Sequence, residues 1–175
     1  MTDTMRAVVL DAPGPASALT IRALPIPTAA PGWVLIRVKA FGLNRSELHT
    51  RLGLAQGVTC PRVLGIEAVG VVARCPGGEF PAGQQVAAMM GGMGRVFDGG
   101  YAEYTCVPAS QVIAFRSELD WSTLGAVPEM LQTSYAAASG DAVIPIDHVY
   151  RFDEIVEAHT AMEAGTAAGK LVVIT

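Results

Sequence analysis

Over Trp33–Phe41 apolar and polar positions alternate, with Val34, Ile36, Val38 and Ala40 on one side and Leu35, Arg37, Lys39 and Phe41 on the other. A period of two predicts a half-buried strand, one face more polar than the other. Shorter apolar runs predict further strands over Arg6–Leu10, Leu19–Ala23, Ala68–Arg74, Gln85–Met89 and Tyr101–Val107. Gly- and Pro-rich stretches at 13–15, 25–31, 76–81 and 91–100 separate them. Turn signals every 8 to 12 residues or so are the mark of a barrel or sandwich of short strands.

Three stretches carry a different period. Arg45–Leu52 reads as a short helix with Asn44 as its N-cap and Glu47 placed to complete a capping box. Trp121–Ala138 is interrupted at Gly125 and Pro128, which predicts a short helical turn followed by a longer helix. From Asp153 onward, Ile155, Ala158, His159 and Met162 recur at i, i+3, i+4 and i+7, and Gly165 stands where a C-cap glycine belongs. His159 lies on that apolar stripe, where a hydrogen-bonded core histidine is the ordinary outcome. Lys170–Ile174 follows as a short apolar strand. The expected class is therefore mainly β with a few helices (α+β), built as a partly open barrel or a sandwich. The run Ala136–Gly140 (AAASG) is the blandest in the chain and has the character of a seam or linker.

Composition narrows the function classes. The 175 residues are 51% hydrophobic and only 16% charged, against about 25% for an average domain, so a generous interior or an interface is expected. The net charge is −4 with no basic run, which excludes a phosphate-backbone footprint and with it nucleic acid as an expected partner. No apolar stretch reaches the roughly 18 residues that cross a bilayer, and no secretory pattern opens the chain; the expectation is a cytoplasmic protein without a membrane partner. Cys60, Cys75 and Cys106 are odd in number and far apart, so reduced thiols are expected rather than a disulfide framework. The histidines, His49, His148 and His159, form no zinc-ligand spacing with one another or with the cysteines. A dinucleotide-binding G-x-G-x-x-G is absent, the nearest string being Gly92-Met93-Gly94 with Phe97 at the third glycine position. P-loop and nucleophile-elbow motifs are absent as well.

Four segments in order, GLNRSELHTRLG (42–53), PRVLGIEAVGVV (61–72), GQQVAAM (83–89) and GGYAEYTCVPAS (99–110), resemble the GroES-like substrate domain of zinc-independent quinone oxidoreductases. These belong to the medium-chain dehydrogenase/reductase superfamily. LGAVPEMLQTSYAA (124–137) is similar to the helix that leads into that family's nucleotide domain, and residues 146–175 resemble its extreme C-terminus, which returns to the substrate domain as a helix and a strand. The resemblance implies one GroES-like domain over 1–175, made of 1–137 and 141–175 joined near 136–140, with the nucleotide-binding domain deleted between them.

The resemblance further implies a parent enzyme that uses NADP (or NAD) to reduce a quinone, enone or similar carbonyl substrate, whereas this chain alone is expected to bind no cofactor and to be inactive. Zinc-dependent relatives place Cys where this chain has Asn44 and His where it has Ile66, so no metal is expected. Asn44 matches a cleft asparagine that contacts the nicotinamide ribose or the substrate, and it is equally suited to be an N-cap. His49, where the family often has Tyr, is a candidate donor to the substrate oxygen, against the plainer role of an exposed helix histidine. Thr133 matches a threonine facing the nicotinamide, against a hydroxyl bonded back to its own helix. Arg51 and Glu67 match family positions and suit ordinary ion pairing equally well. Met89–Met93 could form an adaptable pocket wall or simply fill core space. Weak self-association through the face bearing Asn44, His49 and Thr133 is expected where the missing domain would have packed. A non-enzymatic small-molecule binding module, a zinc-type alcohol dehydrogenase relative and a co-chaperonin-like subunit stand as alternatives, because fold alone does not fix function.

Overall fold

The computed structural model describes residues 3–131 and 145–175. The strands are β1 (Thr4–Leu10), β2 (Leu19–Pro25), β3 (Trp33–Gly42), β4 (Arg62–Val63), β5 (Glu67–Arg74), β6 (Gln85–Met89), β7 (Tyr104–Pro108), β8 (Val112–Ala114), β9 (Ile146–Arg151) and β10 (Lys170–Ile174). Helix α1 spans Arg45–Arg51, α2 spans Trp121–Gly125, the described part of α3 is 128–131, and α4 spans Ile155–Ala164. A small sheet runs β2-β1-β4, and a larger one runs β8-β6-β5-β3-β10-β9 with β7 added to β3. Neither closes on itself. The mainly β class with a few helices and an open barrel-like sheet is what the sequence led one to expect.

Every pair is antiparallel except β9 with β10. The principal core gathers Ala7 to Leu10 of β1, Val34, Ile36 and Val38 of β3, Ala68 and Val72 of β5, and Phe152, Ile155 and Ala158 at the start of the C-terminal helix. Each fully buried aliphatic side chain there contributes on the order of 1.5 to 3 kcal/mol. A satellite core on the opposite face of the large sheet holds Ala40, Val69, Ala87 and Val172 under Leu124 and Ala126 of the α2 region.

β3 departs from the simple alternation the sequence predicts. Its register with β5 shifts between Val38 and Ala40, and that irregularity reverses the parity of the strand. Val34, Ile36 and Val38 face the principal core, and past the shift Phe41 does so in place of Ala40, which turns to the satellite core. Phe41 thereby stacks on Tyr101 with ring centroids 4.6 Å apart. Only Arg37 and Lys39 remain of the polar face, because β5, β7 and β10 all pair with this strand.

α4 starts after a single 3-10 turn at Phe152–Glu154 and stops at Gly165, whose φ of 66° is the left-handed C-cap conformation. Glycine takes that conformation without the steric cost a Cβ brings. The helix delivers the chain into β10, which lies beside β3 and thus beside the start of α1. This return brings Lys170 next to Asn44.

Candidate functional site

Asn44 ends the segment after β3 and opens α1 in extended backbone. Glu47 reaches back as a capping box requires: one carboxylate oxygen accepts from the Asn44 N–H at 3.0 Å. The other accepts from the Ile66 N–H at 2.8 Å, which ties α1 to the turn before β5. Glu47 is fully enclosed, and burial pushes its carboxyl up to about 7 against the lowering effect of the Ile66 N–H, with Glu67 nearby adding to the rise.

The Asn44 amide is occupied elsewhere. Its Nδ2 donates to Glu67 Oε1 at 2.9 Å, and its Oδ1 accepts from Lys170 Nζ. Lys170 Nζ also pairs with Glu67 Oε1 at 3.0 Å and lies 3.7 Å from Glu129 Oε2. Glu67 Oε2 accepts from the Glu129 N–H at 2.7 Å, so the first turn of α3 is tied to the same carboxylate. Glu67 is 0% exposed and Lys170 6%. Charges this deeply enclosed persist only when paired and hydrogen-bonded, as these are. Gly42 makes room for them: a Cβ there would stand 2.3 Å from Lys170 Cε and 2.4 Å from Glu67 Oε1.

Asn44, Glu129 and Lys170 floor a cleft of about 510 Å³ whose walls include Ile66, Met90, Met130, Met162 and Leu171. A second lobe of about 240 Å³ shares Ser46, Ile66 and Met90 with it and runs out under Gly91, Gly92, Met93 and Val96. The volume and the mixture of apolar walls with a few convergent polar groups suit a small organic ligand. Of the methionine cluster, Met90 and Met93 line this space, and Met93 is also part of the principal core.

The other sequence candidates fare differently. His49 sits exposed in the last turn of α1 and is not among the residues that line the cleft. Thr133 and the 136–140 join lie outside the described residues. Arg51 is not a surface residue at all. It is 0% exposed, donating to Gly14 O at 2.6 Å, to Glu163 at 2.5 Å and through Nε to His159 Nδ1 at 3.3 Å. His159 therefore carries its proton on Nε2 and faces the Tyr101 hydroxyl at 3.2 Å, and burial with Arg51 alongside lowers its pKa to about 3. It is the core histidine its helical position predicted. Leu48 of the same helix is buried. Lys170 carried no functional signal in the sequence beyond closing an apolar strand; only its partners reveal it.

The donor chemistry at the family's zinc positions does not fit that ion. Asn44 offers an amide already held by a carboxylate and an ammonium, and Ile66 offers hydrocarbon. Among the described residues, no three His, Cys, Asp or Glu side chains converge as a metal-holding group. No described helix is long and apolar enough to cross a membrane.

Comparison with known proteins places this arrangement. Residues 30–117 match the family described as alcohol dehydrogenase GroES-like domain. The chain belongs to that family, and through it to the medium-chain dehydrogenase/reductase superfamily. It is 31% identical over 132 residues to a synaptic vesicle membrane protein VAT-1 homolog-like protein of Mus musculus, covering 75% of this chain and 31% of that protein. It is 27% identical over 122 residues to a zinc-type alcohol dehydrogenase-like protein of Schizosaccharomyces pombe, covering 69% of this chain and 37% of the relative. The chain thus spans about a third of the length of these curated relatives. The crystal structure of the human VAT-1 homolog-like protein superposes with a TM-score of 0.87 at 16% identity, covering 98% of each chain, which shows a shared fold.

Proposed function

We propose that this chain is the substrate-binding half of an NAD(P)H-dependent oxidoreductase that reduces quinones, enones or related carbonyl compounds without zinc. The observation that carries the reading is the pair of groups at the zinc positions, an Asn44 amide fixed by Glu67 and Lys170 and the aliphatic Ile66, on the floor of a cleft of about 510 Å³. When bound, the nicotinamide cofactor supplies the hydride. The residues of this chain then have to hold the acceptor oxygen and stabilise the negative charge that develops on it. Asn44 offers an N–H for that purpose, and Ile66, Met90 and Met162 keep water from the acceptor.

A nicotinamide and its ribose suit the cleft beside Asn44, but the sequence has no glycine loop to cradle the pyrophosphate. Cofactor binding is accordingly assigned to a separate domain joined near 136–140, with Thr133 on the connecting segment facing it, and the chain on its own is read as inactive. Its compartment is read as cytoplasmic. The zinc-type name of the fission-yeast relative favours a second reading, a zinc-dependent alcohol dehydrogenase, which the donor set at Asn44 and Ile66 does not suit.

The test is an NMR titration of the 15N-labelled chain with acetophenone and with tetramethyl-1,4-benzoquinone, accompanied by metal analysis. Saturable shifts centred on Asn44, Ile66 and Met90 are expected. Shifts confined to other surfaces would overturn the carbonyl assignment, and one zinc per chain that survives a chelator would overturn the zinc-free one.

A further inference from the structure

The charges around Asn44 fix which way its amide faces. Lys170 is a donor only, so the Asn44 atom against its Nζ must be Oδ1; Glu67, as a carboxylate, is an acceptor only, so the atom against its Oε1 must be Nδ2. The two contacts agree, and a flipped amide would set its N–H2 against an ammonium and its oxygen against a carboxylate. Either contact is repulsive, and both lie in an enclosed site where electrostatic interactions are strong. Nδ2 has a second proton, and among the described residues nothing accepts it. Asn44 borders the cleft, so that proton is the polar group it presents there, while its oxygen is consumed by Lys170.

We infer that Lys170 and Glu67 are positioning residues that make Asn44 a donor-only group, and that the cleft selects a carbonyl oxygen over the hydroxyl of the corresponding alcohol. The inference rests on the reading of the cleft as a carbonyl site and adds its polarity. A ketone or quinone oxygen, which only accepts, matches the free N–H. An alcohol can use that N–H too, but its own proton finds no acceptor on Asn44 and has to turn to Ser46 or Glu129 elsewhere on the lining. One hydrogen bond of this kind corresponds to roughly a threefold to tenfold preference. Lys170 does this from a strand 126 residues away in sequence, which makes the polarity of the cleft a property of the C-terminal return.

The experiment compares acetophenone with 1-phenylethanol on the whole chain by NMR, following the Asn44 side-chain protons and the Ile66 and Met90 amides. In the unaltered chain, one Asn44 Nδ2 proton should be slow to exchange, held by Glu67, and the other should shift with acetophenone, with the ketone bound roughly threefold to tenfold more tightly than the alcohol. Lys170→Met releases Oδ1 to accept and leaves Glu67 without its cation. The ketone preference should collapse to about one, and the Asn44 proton response should change, while the Ile66 and Met90 shifts persist. Lys170→Gln keeps a donor against Oδ1 and should restore much of the preference. If Lys170→Met does not fold, Gly42→Ala displaces Lys170 without removing a polar group and should give the same loss. Full ketone preference with an unchanged Asn44 response in Lys170→Met, or in Gly42→Ala, would overturn the inference. Should neither probe shift the cleft of the unaltered chain, the carbonyl assignment fails. The orientation is then decided by the Asn44 protons alone: unchanged exchange and shift in Lys170→Met refute it, altered values uphold it.

Discussion

Glu47 and His159 are both enclosed by protein, and burial acts on them in opposite directions. Glu47 is raised from 4.5 to about 7. Between those pH values the folded chain holds a proton that the unfolded chain releases, so this group's contribution is complete at low pH and is lost as pH rises through about 7. His159 is lowered from 6.5 to about 3, so the unfolded chain binds a proton that the folded chain refuses, and stability is lost as pH falls from 6.5 toward 3. The two slopes oppose each other from about pH 4.5 to 6.5 and should nearly cancel. His159→Gln removes one of them. Its urea midpoint is expected to fall steadily from pH 4.5 to 7, by up to about 3 kcal/mol in stability, where the unaltered chain stays flat to about pH 6.5. A flat profile in His159→Gln would show that Glu47 keeps an ordinary carboxyl. Of these residues, the sequence made Asn44, Glu47 and His159 visible through capping and helical periodicity, which are local signals. Glu67, Lys170 and Arg51 acquire their meaning from partners 23 to 126 residues away, a distance no local pattern spans. His49 was visible for the opposite reason: its chemistry suggested a role, and only its exposure in the last turn of α1 separates it from the cleft.

At the scale of elements, long periodic segments were legible and short ones were not. β3, β5, β6, β10 and α1 fall within a residue or two of their predicted limits. β4 and β8 have two and three residues, too few to establish a period. β9 (IDHVYR) is a parallel edge strand with mostly exposed side chains, so burial left no apolar run to read. The alternation of residue types in β3 carries no mark of its irregularity. Gly70 is the counterpart of that irregularity on β5: it sits opposite Val38, and a Cβ there would lie 2.1 Å from Arg37 O. Backbone has to move to admit it. Gly70→Ala is therefore expected to destabilise the chain by about 2 to 3 kcal/mol, in the range of overpacked cores. Chemical denaturation measures it, and the effect should be accompanied by loss of the Phe41–Tyr101 ring-current shifts, because pairing on both sides of the bulge is what turns Phe41 inward. A neutral Gly70→Ala would mean that β3 and β5 tolerate a wider spacing at this point.

For the whole molecule, the large sheet has one face enclosed by the principal core and another that, among the described residues, α2 covers in its middle. A cross-strand row runs Ile113, Ala87, Val69, Ala40, Ile174 from the β8 edge toward the β9 edge. α2 presses on its centre so closely that a Cβ on Gly125 would stand 2.7 Å from Ala40 Cβ and 2.9 Å from Val172 Cγ1. At the ends of the row Ile113 is 56% exposed and Ile174 37%, and Val149, paired with Val172, is 37% exposed. These ends carry three of the exposed large apolar side chains of the described residues. Exposed apolar side chains on sheet edges favour association. Weak self-association of the chain is therefore expected through these sheet ends, as a second surface beside the face of Asn44, His49 and Thr133. Light scattering over a hundredfold dilution should show an average mass that falls on dilution, and Ile113→Lys combined with Val149→Lys should give a monomer at every concentration while leaving the fold intact, since both side chains already reach water. An average mass that does not change on dilution would refute weak association, and an association indifferent to both lysines would place the contact elsewhere, with the exposed Val96 on the second cleft lobe as the next position to charge.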